Sequence, residues 1–527
     1  MQIKNEGIVY SEIKYPIGIQ TFPEIIQNKY LYVDKTAIMH SLVNNYKYVF
    51  LSRPRRFGKS LFLSTLESYF KGDKHLFKGL EVEGLEKEWK KYPVIRLDLS
   101  AENYDNPTKV KEKIDQYLQC LEDKYDCDST KSLPVRFGSL IRNIAEKENE
   151  KVVILIDEYD KPMLDTIEKD NLHEDIKSEL RSFYSVLKSC DEYIRFAMLT
   201  GVTKFGKVSV FSGLNNLKDI SMLPRYNSIC GISESEFHRD FVRSVSDFAI
   251  SHNISEKEVW NKFKECYDGY HFARTGEDIY NPYSVLNAFD DEQLNYYWFA
   301  SGTSDYLIKL IRTHSFRVQN LEGERRNEMS LSNITNLSRD LVPLLYQAGY
   351  LTIKSYDESE NEYVLGFPNK EVSEGFWGSL ADEFFHISDA ASVFDTRKFV
   401  NDIRHGNADK FMIRLQSLLS DTNSGPELNK EIHFQNMVAV IGKMLGFRVK
   451  TEVSSSVGRC DMQIFTPDYI YIFEFKLDST PEKAIEQIHD RHYADAFNAD
   501  ERTKILIGAN FSTTSRSLDG WIIEIAK

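Results

Sequence analysis

The sequence predicts a mixed α/β protein with more than one domain, and three observations support this. Up to about residue 232, short apolar runs alternate with helical stretches, which is typical of a mostly parallel sheet covered by helices. From Ser233 to Ser420 the periodicity is mainly helical, and after residue 420 a helix, three strands, a helix and one or two final strands follow. A chain of 527 residues is also too long for a single hydrophobic core.

These changes of pattern divide the chain into three predicted domains, at residues 1–232, 233–420 and 421–527. The last boundary falls in the polar segment DTNSGPELNK, residues 421–430, which contains Gly and Pro. The sequence contains no internal repeat and no low-complexity tract, so each domain is expected to have its own core.

The strands and helices of the first domain follow from apolar runs and helical spacing. Four apolar runs predict strands covered on both faces, at Tyr48–Ser52, Pro93–Ser100, Lys151–Asp160 and Ile194–Val202. Two stretches with helical periodicity predict helices, at Lys59–Phe70 and His173–Cys190. In the middle domain, the stretch Gly349–Asn369 predicts two short strands around a polar turn, which would form the wing of a winged-helix-like module.

Composition narrows the range of functions. Acidic residues outnumber basic ones by 80 to 66, and the formal net charge of −14 argues against a surface that binds nucleic acid non-specifically. The net charge does not exclude a local basic groove. No apolar run reaches the roughly 18 residues of a membrane span, and no secretion signal begins the chain, so a cytoplasmic protein without a membrane partner is expected. The six cysteines form no CxxC pair and are expected to be reduced thiols.

A nucleotide site is predicted where the segment LSRPRRFGKSLFL follows one strand and begins a helix. Backbone amides near Gly58 would hold phosphate oxygens, Lys59 would reach the β and γ phosphates of ATP, and the Ser60 hydroxyl would bind Mg²⁺. The match is incomplete because Arg53 stands where the usual spacing requires glycine. The basic cluster RPRRFGK is assigned to phosphate binding.

A second acidic element strengthens this prediction. The apolar run VVILID ends at Asp157, which would complete the Mg²⁺ site, and the next residue, Glu158, would polarise the attacking water. In LTGVTKF, Thr200 or Thr203 would sense the γ-phosphate, while a hydroxyl that caps local backbone is an equally good interpretation. The alternative for the whole site is a loop that binds no phosphate, with the two acids as solvated charges.

A second candidate site lies in the strand YIYIFEFKL, where charges interrupt an apolar run. Glu474 and Lys476 share one face because side chains alternate along a strand. Asp461 lies on the preceding strand, which is predicted to pair with this one in antiparallel fashion. Two carboxylates suit Mg²⁺ or Mn²⁺, and the lysine would position a nucleophile or stabilise charge on a phosphate. The alternative is an ion pair on a solvated sheet edge, worth about 0–1 kcal/mol.

The chain resembles the bacterial AAA-ATPase-like proteins that carry a C-terminal nuclease-superfamily domain. The resemblance spans nearly the whole sequence and is carried by the ordered motifs PIGIQTF, YLYVDKT, SRPRRFGKS, LIDEYDKP, LTGVTKFGKVSVFSGLNNLKDIS, CYDGYHF, YNPYSV, QAGYLTI and FPNKEV. It implies an AAA-like P-loop NTPase domain, a helical and winged-helix-like middle region, and a restriction-endonuclease-like C-terminal domain. The Arg-rich loop without its first glycine looks like the norm of this family. A homo-oligomer is compatible with the resemblance, although no arginine finger can be assigned.

The order Asp461, Glu474, Lys476 is similar to that of the PD-(D/E)XK nuclease superfamily. In that superfamily an upstream helix often adds a glutamate; here Glu431 is the candidate metal ligand and Glu452 a weaker one. The chain departs from the superfamily because RCD replaces the PD signature. Helix TPEKAIEQIHDRHYADAF adds Gln487 and Tyr493, which would contact the backbone or order the site.

Together these patterns predict an ATP-binding protein whose metal-dependent nuclease domain cleaves DNA under ATP control. A role in mobile-element biology or defence is suggested by the resemblance alone. The alternative is a nucleotide-switched scaffold that binds nucleic acid or protein without cutting. Acidic residues outnumber basic ones from Glu427 to the end of the chain, which favours the scaffold slightly, although a bound metal ion would offset the repulsion.

Overall fold

The computed structural model describes residues 13–526 apart from residues 101–103, 126, 128–129, 168, 205–210, 212–215, 302–303, 315, 319–320, 333, 335–339, 386–395, 422–430, 445–446, 456–457 and 516. Contacts between residues divide the chain into two compact units. Unit 1 comprises residues 1–298, 325–335 and 342–370, and unit 2 comprises residues 299–324, 336–341 and 371–527. Residues 422–430 of the predicted boundary segment 421–430 lie outside the described residues, and the three-domain division stays a prediction.

A parallel five-stranded sheet forms the first part of unit 1. Its strands are β1 (Tyr48–Ser52), β2 (Val94–Asp98), β3 (Val152–Asp157), β4 (Ile194–Gly201) and β5 (Lys218–Asp219), in the order β2-β3-β4-β1-β5. All residues of β1 and β3 are buried, as expected for uninterrupted apolar runs covered on both faces. The four predicted strands are therefore confirmed, and the carboxyl ends of β1, β3 and β4 lie at one edge of the sheet.

Helices accompany this sheet along the chain: α1 (Phe22–Gln27), α2 (Thr36–Asn45), α3 (Lys59–Phe70), α4 (Glu81–Leu85), α5 (Pro107–Tyr125), α6 (Leu133–Glu148), α7 (Lys161–Leu164) and α8 (Asp170–Ser189). Short 3-10 turns lie at Lys74–Phe77, Asp191–Tyr193 and Pro224–Tyr226. Helix α6 has proline in its first turn and ends at Asn149, whose φ of 51° gives a left-handed cap. Its Phe137 stacks on Phe183 of α8 at 4.5 Å, within the core that covers the sheet.

A helical part of unit 1 follows the sheet. The antiparallel pair β6 (Ile232–Ser233) and β7 (Ile279–Tyr280) accompanies α9 (Glu234–Asp240), α10 (Val242–His252), α11 (Glu256–Tyr267), α12 (Pro282–Asp290) and α13 (Tyr297–Ala300). Ser233 and Ser255 begin α9 and α11 with capping boxes, which satisfy amide groups that a helix start leaves unpaired. An apolar core that includes Phe237, Phe263 and Phe289 holds these helices together.

The predicted wing is present as a hairpin. After α14 (Ser304–Thr313), which belongs to unit 2, the chain forms β8 (Arg325–Arg326), α15 (Glu328–Ser332), α16 (Val342–Ala348), β9 (Thr352–Asp357) and β10 (Glu362–Gly366). The antiparallel sheet has the order β8-β10-β9, and this sequence of strand, two helices and hairpin is that of a winged helix. Every residue of α16 is buried, so this helix presents no side chain to a DNA groove.

Unit 2 is built around a mixed five-stranded sheet. Its further helices are α17 (Lys370–Phe385), α18 (Thr396–Arg404), α19 (Ala408–Asp421), α20 (Glu431–Met444) and α21 (Pro481–Asp490), with a 3-10 turn at Asp495–Phe497. The strands β11 (Arg448–Ser455), β12 (Gly458–Phe465), β13 (Tyr469–Leu477), β14 (Thr503–Ser512) and β15 (Ser517–Ala526) lie side by side in chain order. Only the β13–β14 pair is parallel, so α21 serves as the crossover between them. The predicted order of elements is confirmed.

None of the described helices combines the length and the apolar character needed to cross a bilayer.

In unit 2, a helix before the predicted boundary segment also packs on the sheet: Gln416 of α19 donates a hydrogen bond to the carbonyl of Leu518 at 2.7 Å. The sheet of unit 2 is thus supported by helices on both sides of the predicted boundary segment.

Candidate functional site

The phosphate loop joins β1 to α3. Gly58 has a φ of 93°, and no heavy atom lies within 4 Å of the position of a Cβ there, so the loop is open at this point. Lys59 begins α3 and is only 5% exposed; its Nζ donates to the carbonyls of Arg53 and Pro54, each at 3.0 Å. Ser60 follows in the first turn and is half-buried. The amides of this helix start are the type of donor that phosphate oxygens accept.

The acidic group at the end of β3 meets a threonine at the end of β4. Strand β4 lies between β1 and β3, and the hydroxyl of Thr200 donates to Oδ1 of Asp157 at 2.6 Å. Asp157 is 1% exposed. Glu158 has a φ of 49°, and burial raises the pKa of its carboxyl, with Lys59 acting in the opposite direction. The structure therefore brings Asp157 and Thr200 into contact and leaves Glu158 beside them in a left-handed backbone conformation.

Thr203 has a different partner from the one expected of a phosphate sensor. Its amide and its hydroxyl donate to Oδ2 of Asp160 at 2.6 and 2.7 Å. Asp160 is 1% exposed, and burial raises the pKa of its carboxyl. The hydroxyl of Thr203 is thus engaged with a buried carboxyl, and Thr200 is the threonine that contacts the predicted magnesium ligand.

Beside Gly58 lies a cavity of about 90 Å³. Its walls are mostly apolar. They come from the segment between α1 and α2, from the loop, from α3 and from the helical part of unit 1, and include Leu31, Phe57, Phe62, Ile232 and Leu286. Lys35 also lines it, and its ammonium is held by Glu236 at 2.7 Å. The cavity is thus apolar with one buried ion pair at its wall, and it lies next to the phosphate loop.

The second candidate site lies where β12 and β13 separate. Their antiparallel pairing ends at Met462 and Phe473, and the next residue on β12 is Asp461, whose Oδ2 accepts the amide of Phe475 at 2.7 Å. On β13, Nζ of Lys476 donates to Oε1 of Glu474 at 2.9 Å. The side chain of Glu474 is 3% exposed and that of Lys476 is 25% exposed. The structure brings Asp461, Glu474 and Lys476 to one edge of the sheet.

Helix α21 contributes to this edge. Nζ of Lys476 also donates to Oε1 of Gln487 at 2.7 Å, and the hydroxyl of Tyr493 donates to the carbonyl of Arg459 at 2.6 Å. The helix can approach because β14 has glycine at position 508: a Cβ there would lie 2.6 Å from the amide nitrogen of Ile485. Gln487 and Tyr493, which the sequence suggests as ordering residues, thus lie in the site.

The two further acidic candidates cannot be placed in the same detail. Glu431 begins α20 and Glu452 lies in β11, and their side chains lie outside the described part of the chain. Within that part, no group of three His, Cys, Asp or Glu side chains is arranged to hold a metal ion. Burial raises the pKa of the Cys460 thiol, so this neighbour of Asp461 stays protonated. Two carboxylates and no thiolate suit a hard ion such as Mg²⁺, which keeps several waters.

Comparison with known proteins agrees with both halves of this description. Residues 16–211 match the family described as "Predicted AAA-ATPase", and residues 429–521 match the "PD-(D/E)XK nuclease superfamily". A protein of Azotobacter chroococcum mcd 1, named "Uncharacterized protein in vnfD 5'region", is 35% identical over 526 residues, which is 98% of this chain and 99% of that protein. The chain belongs to the AAA-ATPase-like proteins with a C-terminal PD-(D/E)XK nuclease superfamily domain.

Two solved structures are also similar to this AAA-ATPase-like chain. The Aeropyrum pernix ORC2 protein (ADPNP-ADP complexes) is 12% identical, with 66% of this chain and 94% of that chain covered at a TM-score of 0.23. The Aeropyrum pernix ORC1 protein in complex with DNA is 9% identical, with 66% and 92% covered at a TM-score of 0.26.

In this AAA-ATPase-like protein, sequence reasoning missed two features of the site. The first is Asp160, the buried partner of Thr203; its position in the string DEYD, three residues after Asp157, was the available sign. The second is Arg53, which belongs to the basic cluster assigned to phosphate binding. Its guanidinium instead donates to backbone carbonyls, including that of Ser221 at 2.7 Å. No sequence pattern predicts that contact.

Proposed function

We propose that this protein binds ATP in unit 1 and cleaves DNA phosphodiesters with a divalent metal ion in unit 2, and that ATP binding regulates cleavage. The observation that supports this best is the convergence of Asp461, Glu474 and Lys476 where β12 and β13 separate, with Gln487 holding the lysine. A solvated Glu474–Lys476 ion pair at a sheet edge requires neither a second acidic group, here Asp461, nor a nearly buried glutamate. The cluster has the composition of a phosphodiester-cleaving site.

In the nucleotide site, the amides near Gly58 and the ammonium of Lys59 would bind the β and γ phosphates. Ser60 and Asp157 would hold the Mg²⁺ that accompanies ATP, and Thr200 keeps the Asp157 carboxylate in one orientation. Glu158 would accept the proton of the attacking water, and its raised pKa favours that role. The cavity beside Gly58 would take the base.

In the nuclease site, Asp461 and Glu474 would hold Mg²⁺ or Mn²⁺, and Glu431 remains a candidate third ligand. A bound metal ion lowers the pKa of its water and offsets charge on the phosphate. Lys476 would stabilise the developing negative charge or orient the attacking water. Gln487 fixes the direction of that ammonium, and the backbone amide of Phe475 orients the Asp461 carboxylate.

Regulation by ATP is proposed because both sites occur in one chain. A nucleotide that binds one conformation better than another shifts the population toward it, and cleavage would follow that shift. The rival function is a nucleotide-switched scaffold that binds nucleic acid or protein without cutting. The burial of α16 favours neither function, because it concerns one helix and not the partly exposed strand β9 of the hairpin.

The test uses the purified full-length protein with linear DNA, supercoiled DNA and an RNA, in Mg²⁺ or Mn²⁺, with and without ATP. Asp461→Asn is compared with Asp468→Asn, an exposed aspartate in the turn between the same two strands. Lys59→Ala is compared with Lys71→Ala, at the other end of α3. Binding of ATP and of DNA is measured for each variant.

We expect the wild type and Asp468→Asn to cleave DNA in the presence of the metal ion, and Asp461→Asn to lose this cleavage. A cleavage rate that changes with ATP in the wild type but not in Lys59→Ala supports regulation. Absence of cleavage in every condition, with ATP binding intact, would instead make the scaffold the better description. Preferential cleavage of RNA would change the proposed substrate from DNA to RNA.

A further inference from the structure

Arg53 stands where nucleotide-binding loops usually have glycine, and its side chain points into the protein. The residue is 2% exposed. Its Nη1 donates to the carbonyls of Ser52 and Ser221 at 3.0 and 2.7 Å, and its Nη2 donates to the carbonyls of Tyr226 and Asn227 at 3.0 and 3.4 Å. These contacts join the phosphate loop to the segment 221–227, which leads from β5 to β6.

The same guanidinium lies over an aromatic ring. Its central carbon is 4.2 Å from the centroid of Phe272, in the motif CYDGYHF that follows α11. Asn227 binds the same region: its Oδ1 accepts the amide of Phe272 at 3.2 Å, and its Nδ2 donates to the carbonyl of Glu277 at 2.8 Å. Arg53 is therefore packed against both the 221–227 segment and the loop before β7.

The hydrogen-bond partners of this guanidinium are neutral. All its described hydrogen-bond acceptors are backbone carbonyls, and burial lowers its pKa to about 10. A buried cation without an ion-paired carboxylate is stabilised by an anion that binds nearby. The carboxylate of Asp219 acts on this guanidinium from within the protein, and the polyphosphate of the proposed nucleotide would add further negative charge.

The backbone of Arg53 takes part in the same arrangement, because its carbonyl accepts Nζ of Lys59 at 3.0 Å. Phosphate oxygens that attract Lys59 would compete with that carbonyl. If Lys59 moved toward the phosphates, the backbone carbonyl of Arg53 would lose its hydrogen bond. The side chain of the same Arg53 contacts the 221–227 segment and Phe272.

We propose that Arg53 is a positioning residue that couples nucleotide binding in the phosphate loop to the 221–227 segment and the CYDGYHF motif. This inference rests on the proposed ATP binding and extends it. It gives the motif CYDGYHF, residues 266–272, a role that neither ATP hydrolysis nor DNA cleavage requires of it. It also explains why arginine replaces glycine in this loop: the residue links two segments through its side chain instead of lining the phosphates.

The test measures ATP and adenosine affinity, together with hydrogen exchange of residues 221–227 and 267–280 with and without ATP, in the full-length protein. Variants are Arg53→Met, Arg53→Lys and Phe272→Leu. The control is Arg225→Met, an exposed arginine in the 221–227 segment. Circular dichroism and thermal unfolding without nucleotide establish that each variant is folded.

In the wild type and in Arg225→Met, ATP is expected to slow exchange in both segments. Arg53→Met should bind ATP about tenfold more weakly, because a buried positive charge near the polyphosphate is lost, while adenosine affinity stays the same. Arg53→Lys should recover most of the ATP affinity. Phe272→Leu keeps the charge and should lose the ATP-dependent protection of residues 267–280 with little change in ATP affinity.

The coupling would be overturned if ATP protected residues 267–280 equally in the wild type, in Phe272→Leu and in either Arg53 variant. An equal loss of ATP and adenosine affinity in Arg53→Met would also overturn it, because that pattern indicates general damage. If Arg53→Met does not fold, Arg53→Lys and Phe272→Leu decide the question. Failure of the wild type to bind ATP would refute the proposed nucleotide site itself, together with this inference.

Discussion

The two candidate sites hold their lysines by different kinds of oxygen atom. In unit 1, Lys59 donates to the neutral carbonyls of Arg53 and Pro54. In unit 2, Lys476 donates to the carboxylate of Glu474 and to the amide oxygen of Gln487. The first ammonium is therefore not neutralised by these contacts, whereas the second is paired with an anion.

This difference indicates which partner each site lacks. Next to the phosphate loop, two buried cations, Arg53 and Lys59, make their described side-chain hydrogen bonds to carbonyls, so the loop favours an incoming anion. At the edge of the unit 2 sheet there are two carboxylates and one ammonium: Lys476 pairs with Glu474, while Asp461 accepts a backbone amide, so that site favours an incoming cation. On these contacts we propose phosphate as the ligand of the unit 1 loop and a metal ion as the ligand of the unit 2 site. Unit 1 also has carboxylates that act on Lys59, those of Glu158 and Asp160.

Of the variants considered, Glu474→Gln should have the largest effect. A small effect would contradict the difference drawn between the two sites. The substitution keeps the shape of the side chain but removes the charge that would hold the metal ion. We expect about a thousandfold loss of cleavage and a clear loss of Mn²⁺ affinity by calorimetry. Glu486→Gln, on the exposed face of α21, is the control and should behave as the wild type. Unchanged Mn²⁺ affinity in Glu474→Gln would contradict the electrostatic difference between the sites.

Gly508→Ala tests whether the unit 2 site depends on close packing of α21. A Cβ at this position would lie 2.6 Å from the amide nitrogen of Ile485 and 2.8 Å from the carbonyl oxygen of Pro481, so the helix must move. We expect a loss of about 2–3 kcal/mol in urea denaturation and slower cleavage, because Gln487 moves with the helix. Gly378→Ala in α17 has no atom within 4 Å of the new Cβ, so it should raise stability by about 0.5–1 kcal/mol, as alanine does inside a helix, and leave cleavage unchanged. A fully stable Gly508→Ala protein would show that the helix can shift freely.

Thr200→Val tests the nucleotide site of unit 1. The variant removes the hydroxyl that donates to Asp157 and should slow ATP hydrolysis about tenfold with little effect on ATP affinity. The matched control is Thr166→Val, which removes another buried hydroxyl, one that donates to the carbonyl of Pro162 at 3.0 Å. Both variants should lose similar stability, and only Thr200→Val should lose hydrolysis. Equal hydrolysis rates in the two variants would remove Thr200 from the site.

The smallest effect concerns Asp268, in the helical part of unit 1. Burial raises the pKa of this carboxyl to about 7 from an ordinary value of 3.8. The folded state therefore binds the proton more tightly, and the protein loses stability as pH rises from about 4 through 7. Asp268→Asn should be more stable than the wild type by about 1 kcal/mol at pH 8, with the gain vanishing near pH 4.

Asp278→Asn provides the control with the opposite sign. A hydrogen bond from His271 lowers the pKa of Asp278, so its carboxylate stabilises the fold above the ordinary pKa and loses that contribution as pH falls. This variant should be less stable than the wild type at pH 6, and the difference should shrink toward pH 3. Urea denaturation across this pH range measures both variants. The same pH dependence in both would contradict the two opposite causes.

Local sequence determined the strands, the helices and the order of chemical groups along the chain. Uninterrupted apolar runs predicted β1 and β3 with their bounds nearly as observed, and alternation along YIYIFEFKL placed Glu474 and Lys476 on one face. These features depend on residues within a few positions of one another, and helix and strand periodicity is a property of short segments. The position of Asp461 near them followed from the predicted antiparallel pairing of the preceding strand, β12, with β13.

Only the tertiary structure decided what each polar group contacts. Arg53 and Asn227 are 174 positions apart, and no local pattern predicts that one donates to the carbonyl of the other. The burial of all of α16 and the close approach of α21 at Gly508 likewise depend on packing between elements. The physical reason is the same in each case: periodicity fixes which face a side chain occupies, whereas its hydrogen-bond partner is fixed by whichever distant backbone the folded core brings against that face.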